Sequence, residues 1–463
     1  MTEPRRDGMT ALILAAGKGT RMKSALPKVL HRIAGDPLIL HVVATVERLG
    51  CERAIAIVGH GADEVRAFLP EWVQTAEQRE QLGTAHAILQ AQDWLKGFEG
   101  DVLILSGDVP LLSLETIAAM QGRHRAEGAA LTVLTFAPED PARYGRVVRD
   151  ASGRIARIVE YKDASETERA IREVNAGVYL ANWPLLHQAL LGVGNDNAQG
   201  EYYLPDAVTA LLAAGHPVAA HCTDDATEVA GVNTRLELVS LAALYRERIA
   251  RRWLEAGATI EDPATTWIGP RVTLDEDTIV EPGCLLYGRT RVGRHSRIGA
   301  HSQLIDAEIG SDVTILSSYL SESSVGDGTT VGPFAHLRNG ASLAEQVRIG
   351  NFVEVKGSSF AKGAKASHLS YVGDATIGAK ANIGAGTITC NYDGERKHRT
   401  VVGDRTFIGS NNTLVAPVTI GSDAYTAAGS TITDDVPDGA LAFGRARQAV
   451  KPGWVLARKG ITP

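Results

Sequence analysis

Cysteine is scarce in this chain. The four thiols, Cys51, Cys222, Cys284 and Cys390, stand far apart with no C-x-x-C spacing, so neither a zinc site nor a disulfide framework is expected. Aromatic residues are few as well, 5% of the chain, with 8 Phe against 48 Gly; such a chain turns often and packs small side chains. No apolar run approaches the roughly 18 residues of a spanning helix. The apolar stretch after Met1 to Asp7 is too short for a secretory signal, and a cytoplasmic protein is expected. An excess of positive charge is missing too: 54 acidic and 47 basic residues leave a formal −7. That balance gives no global attraction to nucleic acid or to an anionic membrane, so any phosphate chemistry must rest on local basic clusters.

What is present falls into two halves with different periods. Up to about Ala230, short apolar runs such as Ala11 to Ala15, Ala54 to Val58, Val102 to Leu105 and Leu131 to Phe136 alternate with longer amphipathic stretches, the α/β signature. Thr234 to Gly257 reads as one connecting helix. Thr234 and Glu237 form a capping box, Leu236, Val239, Ala243 and Leu244 fall at helical spacing, and Gly257 suits a C-cap. Beyond it Ile268, Leu274, Val280, Leu286, Val292, Ile298 and Leu304 recur every sixth residue, and the series resumes from Val325 to Val355 and from Val402 to Ile432. This is the hexapeptide repeat of a parallel β-helix; such repeats characterise the left-handed form, with three hexads per coil. Expected domains are therefore 1–233, a linker helix 234–257, and a β-helix with a C-terminal tail over 258–463. The period breaks between Val355 and Val372 and again between Thr389 and Val402, where Cys390 to Thr400 must loop out of a coil; polar excursions of this kind are more often functional than structural.

Leu14-Ala-Ala-Gly17-Lys18-Gly19-Thr20-Arg21, followed by Pro27-Lys28, sits where the first strand should end. Met22 stands where both a P-loop and a dinucleotide fingerprint need glycine. What remains is a glycine-rich turn whose backbone N–H groups and basic side chains suit a polyphosphate. Asp108 closes the apolar strand Val102 to Ser106, a place either for a hard cation such as Mg²⁺ or for a helix cap. In the second half, Arg338 and Lys356 are 18 residues apart and should stack one coil apart at about 4.8 Å. Either a phosphate is clamped between them or both are solvated.

Residues 14 to 28 resemble the signature of sugar-phosphate nucleotidyltransferases, with Gln78, Gln81-Leu-Gly83-Thr84, Ser106-Gly-Asp108, Tyr144-Gly145, Glu160, Asn175 and Gly231-Val-Asn233 recurring in order. Joined to His368-Leu-Ser-Tyr371 and Asn382-Ile-Gly-Ala385 to Asn391-Tyr392, the whole chain resembles the bifunctional N-acetylglucosamine-1-phosphate uridylyltransferase and glucosamine-1-phosphate N-acetyltransferase family. The resemblance implies a Rossmann-like α/β nucleotidyltransferase domain joined to the left-handed β-helix, in a homotrimer. It also implies that Leu14, Gly17, Lys18, Gly19 and Thr20 line the nucleotide site, that Arg21 and Lys28 supply catalytic charge, and that Gln78, Gly83 and Thr84 read uracil. Gly145, Glu160 and Asn175 would hold the sugar, and Asp108 with Asn233 the Mg²⁺. In the β-helix it implies His368 as general base, with Glu354 orienting it. Arg338 and Lys356 would take the sugar phosphate and Tyr371 and Asn382 the sugar. Asn391 and Tyr392 would lie near the reacting groups, and Ala385, Ser410, Ala428 and Arg445 along acetyl-coenzyme A. The substrates implied are UTP, glucosamine-1-phosphate, N-acetylglucosamine-1-phosphate and acetyl-coenzyme A.

Overall fold

Strand β1, Thr10–Ala15, is apolar at almost every position and buried along its length, as a strand covered on both faces must be. The computed structural model describes residues 8–461, and the chain divides between Arg248 and Ile249 into two units. In the first, eight more strands complete the sheet: β2 (Arg53–Val58), β3 (Val73–Glu77), β4 (Asp101–Ser106), β5 (Leu131–Phe136), β6 (Arg146–Arg149), β7 (Ile155–Val159), β8 (Val174–Asn182) and β9 (Val218–Thr223). The order across it is β9-β5-β8-β4-β1-β2-β3, with β6 and β7 a hairpin on β8. β8 is antiparallel to both neighbours and the rest of that path is parallel. Residue parity sorts the core. Ala11, Ile13, Ala54, Ala56, Leu103 and Leu105 pack with Ile39, Val42 and Val46 of the helix Leu38–Arg48 on one face. Leu12, Ile55, Ile57, Val102 and Ile104 pack with Ala85 and Ile88 on the other. Each buried Val, Leu or Ile stabilises this sandwich by roughly 1.5–3 kcal/mol.

The connecting helix runs Arg235–Glu255. Its start is the expected capping box: Glu237 N–H donates to Thr234 Oγ1 at 3.2 Å, and Glu237 Oε2 accepts from Thr234 N–H at 3.2 Å. Its end is a Schellman turn, with Gly257 at φ 92° and Ala258 N–H reaching back to Trp253 O at 3.0 Å. The apolar face differs from expectation. Leu236 and Val239 are 79% and 67% exposed, whereas Leu241, Tyr245, Ile249, Ala250 and Trp253 are buried; spacing alone cannot tell which of two apolar stripes finds a partner.

In the second unit the hexad aliphatics named above are all buried. Ile268 pairs with Leu286 and Leu286 with Leu304, so the first coils hold 18 residues. An eleven-stranded ladder and a seventeen-stranded ladder, the longer one winding over two faces, run parallel along the coil axis. The hexad phase slips because later coils are shorter: Leu304 pairs with Leu320 and Leu320 with Leu337. Small polar residues two places before the hexad aliphatic satisfy corner carbonyls, as Ser296 Oγ does for Gly310 O at 2.8 Å and Thr406 Oγ1 for Gly421 O at 2.7 Å.

Candidate functional site

The glycine-rich turn leaves β1 at the carboxyl edge of the sheet, where ligands bind in open α/β folds. Gly19 has φ 58°, and a Cβ there would lie 2.6 Å from Cβ of Lys28. Glycine is thus what lets Lys28 close onto the turn. The chain then passes through two short 3-10 turns, Thr20–Met22 and Lys28–Leu30, before the first α-helix begins at Leu38. Lys28 Nζ donates to Asp108 Oδ2, and Asn233 Oδ1 lies 3.4 Å from the same nitrogen. Asn233 also accepts from Arg21 Nη2 at 2.8 Å. Ser106 Oγ donates to Asp108 Oδ1 at 2.5 Å, and Asn233 N–H donates to Glu237 Oε2 at 2.6 Å.

Two cavities meet at Asp108. One, about 370 Å³, is lined by Leu14, Gly17, Lys18, Lys28, Gln78, Gly83, Thr84 and Asp108. The other, about 290 Å³, also reaches Leu14, Thr84 and Asp108 and adds Tyr144, Gly145, Glu160, Asn175 and Asn233. Gln78 Nε2 is tied to Gly83 O at 3.0 Å, and Asn175 Nδ2 donates to Tyr179 Oη at 2.6 Å. Burial pushes the Glu160 carboxyl above its ordinary value, and Asp163, Asp206 and Glu201 add to the shift. Gly19 and Thr20 line neither cavity; their place is in the turn. Sequence reasoning missed Glu201, which lines the first cavity, and the hold of Glu237 on Asn233. Glu201 carries no motif, whereas Glu237 was legible only as a cap.

Asp108 and Asn233 offer a carboxylate and an amide oxygen around one cation, Lys28 Nζ. Among the described residues no three His, Cys, Asp or Glu gather into a metal cluster. An all-oxygen pair of this kind fits Mg²⁺, which keeps several waters and takes further oxygens from substrate phosphates, better than it fits zinc.

In the β-helix, one corner carries a column of candidate residues in consecutive coils. Leu369 N–H donates to Asn351 O, Gly386 N–H to His368 O, Asn411 N–H to Ala385 O and Gly429 N–H to Ser410 O. Asn351, His368, Ala385 and Ser410 therefore stand one above another, and Ala428, the residue before Gly429, continues the column. Beyond His368 the column is Ala, Ser and Ala, leaving room along the corner. Arg445 reaches that end, its Cδ beside Gly429. Asn382 precedes Ala385 on the adjoining strand.

Arg338 and Lys356 are register partners, as the spacing predicted. Tyr371 lies over Gly373, the register partner of Lys356. Glu354 does not meet His368: its Oε1 accepts from Arg338 Nε at 2.8 Å, and His368 Nδ1 is instead 2.6 Å from Asn351 Oδ1. The excursion is an ordered turn. Tyr392 bridges to Lys397, and Asp393 accepts from Arg396 N–H at 2.7 Å and faces His398 Nε2 at 2.6 Å. Asn391 Nδ2 donates to Asp374 Oδ2, the carboxylate that also faces Lys356. Asp374 thus joins the loop to the cation pair. The four cysteines are unpaired, and no helix among the described residues is long and apolar enough to cross a membrane.

Comparison with known proteins finds two family matches on the chain. The MobA-like NTP transferase domain matches residues 11–260, and the bacterial transferase hexapeptide (six repeats) matches residues 399–434. Bifunctional protein GlmU of Geobacillus sp. (strain WCH70) is 49% identical over 96% of this chain and 97% of the relative. Its namesake from Geobacillus thermodenitrificans (strain NG80-2) is 49% identical over 97% and 98%, and that of Heliobacterium modesticaldum (strain ATCC 51547 / Ice1) is 47% identical over 97% and 98%. With a nucleotidyltransferase sheet at one end and a hexapeptide β-helix at the other, matched along nearly its whole length, the chain belongs to the GlmU family of bifunctional transferases.

Proposed function

We propose that the β-helix unit acetylates glucosamine-1-phosphate from acetyl-coenzyme A. The amino-terminal unit then transfers UMP from UTP to N-acetylglucosamine-1-phosphate, giving UDP-N-acetylglucosamine and pyrophosphate. The observation that carries the reading is the meeting of two cavities at Asp108, with the nucleotide-type lining on one side and the sugar-type lining on the other.

In uridylyl transfer a phosphate oxygen of the sugar attacks the α-phosphorus of UTP while the bond to the β-phosphate oxygen breaks. Anions are brought together, so positioning and charge neutralisation dominate. Lys18, Arg21 and Lys28 supply positive charge, the backbone from Leu14 to Thr20 approaches the phosphates, and Gln78, Gly83 and Thr84 orient the base. Gly145, Glu160 and Asn175 hold the sugar so that its phosphate faces the first cavity. Asp108 and Asn233 would hold Mg²⁺, which when bound neutralises phosphate charge.

In acetyl transfer the sugar amine attacks the thioester carbonyl, the C–S bond breaks, and the thiolate of coenzyme A leaves. The amine proton passes to His368. Arg338 and Lys356 bind the sugar phosphate and Tyr371 and Asn382 the sugar, with Asn391 and Tyr392 beside the reacting groups. Ala385, Ser410, Ala428 and Arg445 border the acetyl donor. The enzyme works in the cytoplasm, and as a homotrimer, an assembly supported by a coil face that presents exposed Phe407, Tyr425 and Leu441 in consecutive coils.

Incubation with glucosamine-1-phosphate, acetyl-coenzyme A, UTP and Mg²⁺, with thiol and pyrophosphate measured separately, tests the reading. Thiol release must precede pyrophosphate release. Ligand binding without either product would make the chain a sugar-nucleotide-binding scaffold, and no thiol from glucosamine-1-phosphate and acetyl-coenzyme A, with pyrophosphate still formed from supplied N-acetylglucosamine-1-phosphate, would leave the β-helix a purely structural role.

A further inference from the structure

Asn351 and His368 end two register-paired strands, Arg348–Asn351 and Lys365–His368. The side chains meet as well as the backbones, with Asn351 Oδ1 2.6 Å from His368 Nδ1. Both backbones are pinned. Leu369 N–H donates to Asn351 O at 3.0 Å, and Ser370 Oγ donates to His368 O at 2.9 Å. Gly350 packs so closely on the Ser367 carbonyl that a side chain there would collide. What freedom remains to His368 is the rotation of its ring and the choice of which nitrogen carries the proton, and the amide oxygen addresses both.

An amide oxygen accepts and cannot donate, so the nitrogen facing it must carry hydrogen. We propose that Asn351 is a positioning residue that holds His368 in the Nδ1–H tautomer, leaving the Nε2 lone pair to take the proton of the substrate amine. The inference deepens the acetyl-transfer reading and rests on it. A neutral amide has a specific merit here. A carboxylate in the same place would stabilise the imidazolium and fill the base with a proton before the amine arrives. The acid three residues on, Glu354 at the start of the next strand, is occupied by Arg338 Nε and Nη2 at 2.8 and 2.7 Å.

Three variants of the full chain test this: Asn351→Leu, Asn351→Asp and His368→Ala. Asn351→Leu is expected to lower kcat of acetyl transfer by about 10- to 100-fold, part of the 10²–10⁴ that a general base supplies, with KM for both substrates nearly unchanged. Unchanged KM values in acetyl transfer report that the β-helix is folded, and uridylyl transfer from supplied N-acetylglucosamine-1-phosphate reports the same of the amino-terminal unit. Asn351→Asp keeps the acceptor and should recover kcat at alkaline pH. In ¹⁵N-histidine-labelled wild-type protein, the signal lost in His368→Ala should show the Nδ1–H tautomer, and in Asn351→Leu it should move toward the other form. An Nε2–H tautomer in the wild type, or full kcat with an unmoved tautomer in Asn351→Leu, overturns the positioning role alone. Normal acetyl transfer by His368→Ala would overturn the general-base reading beneath it.

Discussion

Arg338 and Lys356 stack in register one coil apart, and each faces a carboxylate: Glu354 lies 2.7 Å from Arg338 Nη2, and Asp374 lies 3.8 Å from Lys356 Nζ. The two like charges are therefore compensated without any bound anion. A sugar phosphate has to compete with those carboxylates, more easily at Lys356, whose ion pair is the looser. Arg338→Ala and Lys356→Ala each remove charge-assisted hydrogen bonds of roughly 1.5–3 kcal/mol. The expected outcome in steady-state kinetics is a glucosamine-1-phosphate KM raised by about tenfold or more, with the acetyl-coenzyme A KM nearly unchanged. An unchanged sugar-phosphate KM in both variants would return the pair to the role of compensated surface charges.

Asp108 is bonded by Lys28 and Ser106 at the junction of the two cavities. Asp108→Ala should abolish pyrophosphate release while thiol release continues at near the wild-type rate. Glu237→Ala should act on the same centre at one remove. It frees the backbone N–H of Asn233 and should lower uridylyl transfer less than Asp108→Ala does. Parallel loss of both activities in Asp108→Ala would contradict separate sites.

Much of this was legible in the sequence because the physical constraint is local and periodic. Strand Leu131–Phe136 begins and ends where its apolar run does, and the hexad aliphatics from Ile268 to Ile432 are buried because only a solenoid coil repeats at that interval. Spacing alone also put Arg338 beside Lys356. What spacing could not supply were pairings that depend on which side chain turns inward. Leu236 and Val239 share the helical period of Leu241 and Tyr245, yet only the latter two found a packed surface. Glu354 was assigned to His368, but it opens the strand Glu354–Lys356 and bonds Arg338, whereas Asn351 shares the corner of His368. Coils of fewer than 18 residues bring position 351 into register with 368, and coil length is set by turns that leave no period to read.

Glu160 offers a test through pH. Its folded carboxyl is raised, chiefly by burial and then by Asp163, Asp206 and Glu201. Below the ordinary carboxylate value the group is protonated whether the chain is folded or not, and it costs nothing. As pH rises toward the raised value the unfolded chain ionises first, so stability falls through that window and stays lower above it. Glu160→Gln should therefore raise the Tm of the amino-terminal unit at neutral pH, and the gain should vanish under acid conditions. Sugar-phosphate use in uridylyl transfer should weaken in the same variant. A gain independent of pH would place its origin elsewhere.

Asp393 organises the excursion that interrupts the β-helix. Its carboxylate accepts from the backbone N–H groups of Glu395 and Arg396 at 2.8 and 2.7 Å and faces His398 Nε2 at 2.6 Å. Those bonds hold its carboxyl well below the usual range, the backbone of Arg396 first among the causes. A depressed folded value means that the loop's order is present above the ordinary carboxylate range and is lost only as pH falls through the depressed one. Hydrogen exchange of residues 391–399, corrected for intrinsic rates, should accordingly stay protected from neutral pH down to about pH 4, the ordinary Asp value. Asp393→Ala should remove that protection at every pH. Because Asn391 of the same loop bonds Asp374 beside Lys356, the variant should also raise KM in acetyl transfer and leave pyrophosphate release unaffected. A loop that exchanges faster in Asp393→Ala with no change in acetyl transfer would separate the loop's order from the reaction and leave Asn391 and Tyr392 without a part in it.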